Sequence, residues 1–179
     1  MSQQFHTAVR RLVIWGGVLF AAAILQTSLL ARLAQAIPYG AVPDLLLAAT
    51  VAVAIFDGER TGALAGIAAG IFAGALGGTG INLLPVAYML CGYVCGIWST
   101  MSLSSNFPSW CVYMLTTGLA RAAVTLVTIA LSYPDYTLLD VAAHILLPEY
   151  AATLLFSVLI YFPVRRIAQS VNRRLRIPE

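Results

Sequence analysis

The chain has no lysine. All ten basic residues are arginine, only seven residues are acidic and two are histidine, so 9% of the 179 residues carry a charge. A soluble domain carries about 25% charged residues, and a chain this poor in them cannot cover a globular surface with polar groups. Cys91, Cys95 and Cys111 are odd in number and lie in or beside apolar runs, so no disulfide framework follows from them. Catalytic signatures are missing as well: there is no HExxH, no G-x-S-x-G, no paired membrane aspartates and no Ser/His/Asp arrangement. Gly77-Gly78-Thr79-Gly80 has no lysine after it and no strand before it, and is read as a turn, not a phosphate loop. The expectation is a non-enzymatic protein with no cofactor and no metal site.

What is present is apolar: 60% of the residues are hydrophobic. The stretch from Thr61 to Gly80, TGALAGIAAGIFAGALGGTG, places Gly62, Gly66, Gly70, Gly74 and Gly78 at every fourth position, with Ala65, Ala69 and Ala73 in the adjacent row. On a helix both rows fall on one side, opposite Leu64, Ile67 and Ile71. Interior glycines cost up to about 1 kcal/mol each relative to alanine in water, but in a bilayer rows of small residues let helix backbones approach closely. Close packing within one chain is the reading, with a homodimer seam as the alternative, and this helix is expected at the centre of a membrane bundle. Cys91 and Cys95 share a ridge with Ala87 in the next apolar run, and read as small hydrophobes, not metal ligands.

Apolar runs divide the chain into six spans, about 12–30, 44–56, 61–76, 81–100, 110–131 and 141–163, forming one multi-pass domain over 1–179. Ala34-Gln35-Ala36 imitates a signal-peptidase site, but the run before it is longer than a signal core and further spans follow, so it is read as a retained helix. The 44–56 run is short for a full crossing, so it must be tilted, buried among neighbours or extended into the interface. Asp44 stands at its first turn, where a carboxylate suits a helix N-terminus. Arg10, Arg11, Arg60, Arg165, Arg166, Arg173, Arg174 and Arg176 all fall on one side of such a six-span chain, which places both termini in the cytoplasm. That distribution also argues against nucleic acid as a partner. Ile167, Val171 and Leu175 recur every fourth residue among the final arginines, so the tail is expected to lie on an anionic bilayer surface.

Arg121 and Glu149 are the two opposite charges deep in the apolar runs. Counted from the inner ends of their helices at 1.5 Å per residue, their depths differ by about 4–5 Å, within reach of an arginine side chain. An ion pair is expected, because lone charges there are costly. Its favoured role is to fix helix register. Pro148 cannot donate to the carbonyl of His144, so the helix is expected to bend there.

In their order these features resemble the rod shape-determining protein MreD family. The resemblance rests on Pro43-Asp44-Leu45-Leu46-Leu47, on Asp57-Gly58-Glu59-Arg60 ahead of the glycine helix, and on Gly92-Tyr93-Val94-Cys95-Gly96. It continues through Leu147-Pro148-Glu149-Tyr150 into Tyr161-Phe162-Pro163-Val164-Arg165-Arg166. The chain departs from the family where an aspartate often stands late in the glycine helix, since it has Gly74-Ala75-Leu76-Gly77-Gly78 there. The resemblance implies an all-α integral membrane protein, a six-helix transmembrane bundle like the substrate-binding subunits of energy-coupling-factor transporters. It also implies a scaffold of the cell-elongation machinery in the bacterial inner membrane. Its partner would be MreC, and through MreC the peptidoglycan polymerase RodA and a class B penicillin-binding transpeptidase. The alternative from another class is a small-molecule-binding transporter subunit.

Overall fold

The computed structural model describes residues 2–30, 43–77, 83–101, 107–132 and 141–175, and all its regular structure is helical. Helix α1 (Ser2–Leu25) runs on through a π-helical turn at Gln26–Leu30. It is followed by α2 (Leu45–Asp57), α3 (Glu59–Gly77), α4 (Leu84–Met101) and α5 (Phe107–Ser132). A second π turn, Ala142–Leu146, leads directly into α6 (Leu147–Leu175). Four stretches, Val9–Ser28, Leu84–Met101, Phe107–Leu131 and Ala142–Ser170, are long and apolar enough to cross a membrane. The protein is therefore built as a membrane protein.

The centre of the bundle is α2, not the glycine helix. Every residue from Leu45 through Ile55 is buried, and α2 packs against all five other helices. A helix that is apolar on every side can be accommodated only by complete enclosure, and Ala48, Ala49, Ala52 and Ala54 let its neighbours come close. The glycine helix instead exposes Leu64, Ile71 and Phe72 on its outer side. Being buried among neighbours is thus how the short second run is accommodated. At 1.5 Å per residue a helix of this length covers about 20 Å of an apolar slab about 30 Å thick.

The glycine row is filled by α4 of the same chain, so its closest partner is intramolecular. A Cβ added at Gly62 would lie 2.6 Å from Ala54 Cβ and 2.7 Å from the carbonyl of Gly92. At Gly66 it would strike the backbone of Tyr88 and Met89, and at Gly70 the backbone of Pro85. The seam is reciprocal, because Gly92 and Gly96 of α4 lie against the backbones of Gly62 and Glu59. Gly74 is buried in the same row, while Gly78 lies outside the described residues. The hairpin joining α2 to α3 turns on Gly58, whose φ of 89° is one that L side chains rarely adopt. Its N–H donates to the carbonyl of Ala54 and its own carbonyl accepts from Gly62.

At Pro148 the helix is accommodated by winding. The amide of Leu147 donates to the carbonyl of Ala142, five residues back, so the turn before the proline is π-helical.

These contacts are backbone to backbone, so the α3–α4 seam cannot yield to a larger side chain. Gly66→Ala and Gly70→Ala are each expected to destabilise the fold by about 1–3 kcal/mol, the usual range for overpacking, whereas Ile71→Leu on the exposed side is neutral. Thermal unfolding in mild detergent checks this; equal stability of all three variants would refute the seam.

Candidate functional site

The amino end of α2 is enclosed in the bundle, so its free amides need partners from the protein. Asp44 Oδ1 accepts from the amide of Leu47 at 3.0 Å, and Gln26 Oε1, from the π turn after α1, accepts from the amide of Leu46 at 3.1 Å. The backbone amide of Asp44 donates to Thr153 Oγ1 at 2.9 Å, and that hydroxyl donates to the carbonyl of Glu149 at 2.8 Å. The π turn at Gln26 and the start of α6 are thereby tied to one helix end.

The second oxygen of Asp44 carries the electrostatics. Its side chain is 2% exposed, and Arg121 Nε of α5 lies 2.9 Å from Oδ2. The Nε–H is not aimed at that oxygen, so the contact is ionic and not a directed hydrogen bond. The hydroxyl of Tyr88, from α4, donates to the same Oδ2. On the other side Arg121 Nη1 donates to Glu149 Oε1 at 2.8 Å. One guanidinium therefore stands between two carboxylates, and the partial positive charge of the α2 amino end, roughly half a unit, faces Asp44 as well. The cluster joins α2, α4, α5 and α6.

The structure brings together Arg121 and Glu149, the pair anticipated above, and adds Asp44 and Tyr88. In the sequence Asp44 reads as a helix cap and as part of the Pro43-Asp44-Leu45-Leu46-Leu47 element, and Tyr88 has no assigned role. A clue for Asp44 was available: it is the one acid at the head of a helix with no polar residue but Thr50 before Asp57. Nothing in the local pattern around Tyr88 marks it, since its partner is 44 residues away. Pro43 is buried beside Asp44, and Pro148 precedes Glu149 in the first turn of α6. Tyr150 anchors that turn to α5: its ring packs on Gly118, where no side chain would fit, and its hydroxyl donates to the carbonyl of Met114 at 3.1 Å.

A second ion pair sits at the opposite end of α2. Arg11 Nη1 donates to Asp57 Oδ1 at 3.0 Å, so the central helix has a carboxylate at each end, each held by an arginine from another helix. Near the start of α5, Trp110 packs on Tyr161 with ring centroids 5.2 Å apart and directs its Nε1–H to Ser157 Oγ at 3.4 Å. The thiol of Cys91 donates to the carbonyl of Thr117 at 3.7 Å and Cys95 is buried nearby, so both pack as small hydrophobes. Chemically, the arrangement around Asp44 is an electrostatic knot that holds four helices at one depth.

No family model, no curated protein and no solved structure matches the chain.

Because Arg121 serves two carboxylates, neutralising it strands both. Arg121→Leu is expected to cost on the order of 3–5 kcal/mol, more than Glu149→Gln. The double variant should recover only part of the loss, because Asp44 remains charged and unpaired. Adding Asp44→Asn should recover more, to the extent that its amide still caps α2. The yield of folded monomer across this series is the measurement. Full recovery in the Arg121/Glu149 double variant would show that Asp44 is not part of the knot.

Proposed function

We propose that this protein is a non-enzymatic scaffold of the MreD type in the bacterial inner membrane, which helps maintain rod shape by organising peptidoglycan synthesis with MreC. The observation that supports this is how the scattered pieces of the resemblance meet in space. Pro43-Asp44 and Leu147-Pro148-Glu149-Tyr150, a hundred residues apart, converge on Arg121 and Thr153. Gly92 and Gly96 of the Gly-Tyr-x-x-Gly element lie on Gly62 and on Glu59 of the Asp-Gly-Glu-Arg turn. The motif residues thus build the helix packing itself, as expected of a scaffold.

In this reading the chain crosses the membrane six times with both termini in the cytoplasm. Through MreC it connects to RodA and a class B penicillin-binding transpeptidase. In a variant without native cysteines, Gly58→Cys should be protected from an impermeant thiol reagent in intact cells, while Pro134→Cys, in a loop outside the described residues, should react. The opposite labelling would refute the topology. Depletion of the protein should turn rods into spheres, and the tagged protein should copurify MreC in mild detergent. Normal rods with a copurifying small molecule would favour the transporter-subunit alternative.

A further inference from the structure

Between α4 and α5 runs a groove of about 250 Å³, its walls drawn from one stripe of each helix. On α4 the stripe extends from Ala87 to Trp98 and on α5 from Thr116 to Val124, about 16 Å and about 12 Å at 1.5 Å per residue. Leu90, Val94 and Trp98 are exposed along the α4 rim, so the groove opens on the outside of the bundle. The thiol of Cys91 donates to the carbonyl of Thr117 and joins the two helices beneath it, and Ala87 and Ala120 continue the small lining one turn further along.

The groove is held open from behind. Helix α4 is locked to α3, with Gly92 on Gly62 and the backbone of Tyr88 on Gly66. Helix α5 is locked to α6, with Tyr150 on Gly118 and Trp110 on Tyr161. Neither wall can close on the other without opening a close-packed contact on its far side, so the groove is a standing feature of the fold.

Its chemistry differs between its length and its end. The hydroxyl of Thr116 donates to the carbonyl of Val112 at 3.1 Å and that of Thr117 to the carbonyl of Tyr113 at 2.7 Å, while the Cys91 thiol is committed to Thr117. The walls therefore present hydrocarbon. Trp98 stands at one end, one turn before the carboxyl end of α4, and is 40% exposed. Among the described residues its indole N–H is the one side-chain donor of the lining with no hydrogen-bond partner. An apolar trough with a single donor at one end matches a molecule that is hydrocarbon along its length and has an acceptor at its head. A fatty-acyl ester is built that way, and tryptophan favours the depth where apolar chains meet polar headgroups. The groove is about half as long as an apolar slab about 30 Å thick, so a chain from one leaflet fits along it. A helix, about 10 Å across, is too wide to enter.

We propose that this groove binds one acyl chain of a membrane phospholipid, which lies along it from Trp98 towards Ala87 with its ester carbonyl accepting from the Trp98 indole. The lipid is then a resident of the fold, held between two helices whose other faces are already engaged. The site does not depend on which proteins the chain holds.

The test counts phospholipid on the purified full chain by native mass spectrometry after exhaustive exchange into mild detergent. Dioleoyl phosphatidylethanolamine or its diether analogue, which lacks the ester carbonyls, is then titrated back. Ala120→Phe fills the groove, and Leu119→Phe adds the same ring at an exposed position outside it. The unaltered chain and Leu119→Phe are expected to retain one phospholipid each, and Ala120→Phe none. The diester should bind the unaltered chain about three- to tenfold more tightly than the diether, the worth of one hydrogen bond, and Trp98→Phe should abolish that difference. Should Ala120→Phe fail to fold, Val124→Phe fills the groove from the same wall and carries the same expectation. An unaltered chain that retains no phospholipid, or equal retention by the groove-filling and control variants, would overturn the site. Equal affinity for diester and diether would overturn the contact with Trp98.

Discussion

A helix amino end enclosed in an apolar bundle must find partners for its free amides within the protein, and Asp44 meets that need at the start of α2. The helix is too short to reach both faces of an apolar slab, so its first amides cannot be left to water. A carboxylate caps them, the carboxylate itself demands a cation, and Arg121 supplies it. That demand fixes the rest of the site. Arg121 on α5 draws Glu149 on α6, Tyr88 on α4 donates to the same carboxylate, and Thr153 ties the backbone of Asp44 to α6. Breaking any one link leaves a charge or donor without compensation in surroundings where nothing else can provide it.

The glycine seam solves a different problem. Apolar side chains gain little by leaving lipid for other apolar side chains, so packing between membrane helices depends on close van der Waals contact. The seam between α3 and α4 brings backbones together with no side chain between them, and the Gly58 hairpin holds α3 against α2. The result is a close-packed block of α2, α3 and α4. Around it α1 is attached by the Arg11–Asp57 pair and by Gln26, and α6 by Thr153 and Glu149. Helix α5 is attached along one half only.

Much of this was legible in the residues. The shortage of charge, the length of the apolar runs and the four-residue glycine period determined that the chain is helical and belongs in a membrane, because a bilayer admits few other uses for such a composition. Arg121 and Glu149 could be paired from their depths alone, since two lone opposite charges in apolar runs have few alternatives. Their neighbours could not be read the same way. Asp44 has a sufficient local explanation as a helix cap, and Tyr88 looks like any other aromatic on an apolar helix; only their distance in space shows that both meet at one oxygen. The centre of the bundle was misplaced for a related reason. Small residues mark a surface that packs closely, but close packing on one side does not enclose a helix, and α3 keeps its large residues on the outside. By itself the sequence determined the medium, the helices and the one charge pair that the medium forces together. Only the tertiary structure decided that α2 is the axis and that Asp44 completes the knot, because both depend on which helices stand beside one another, and no periodicity along a single helix records its neighbours.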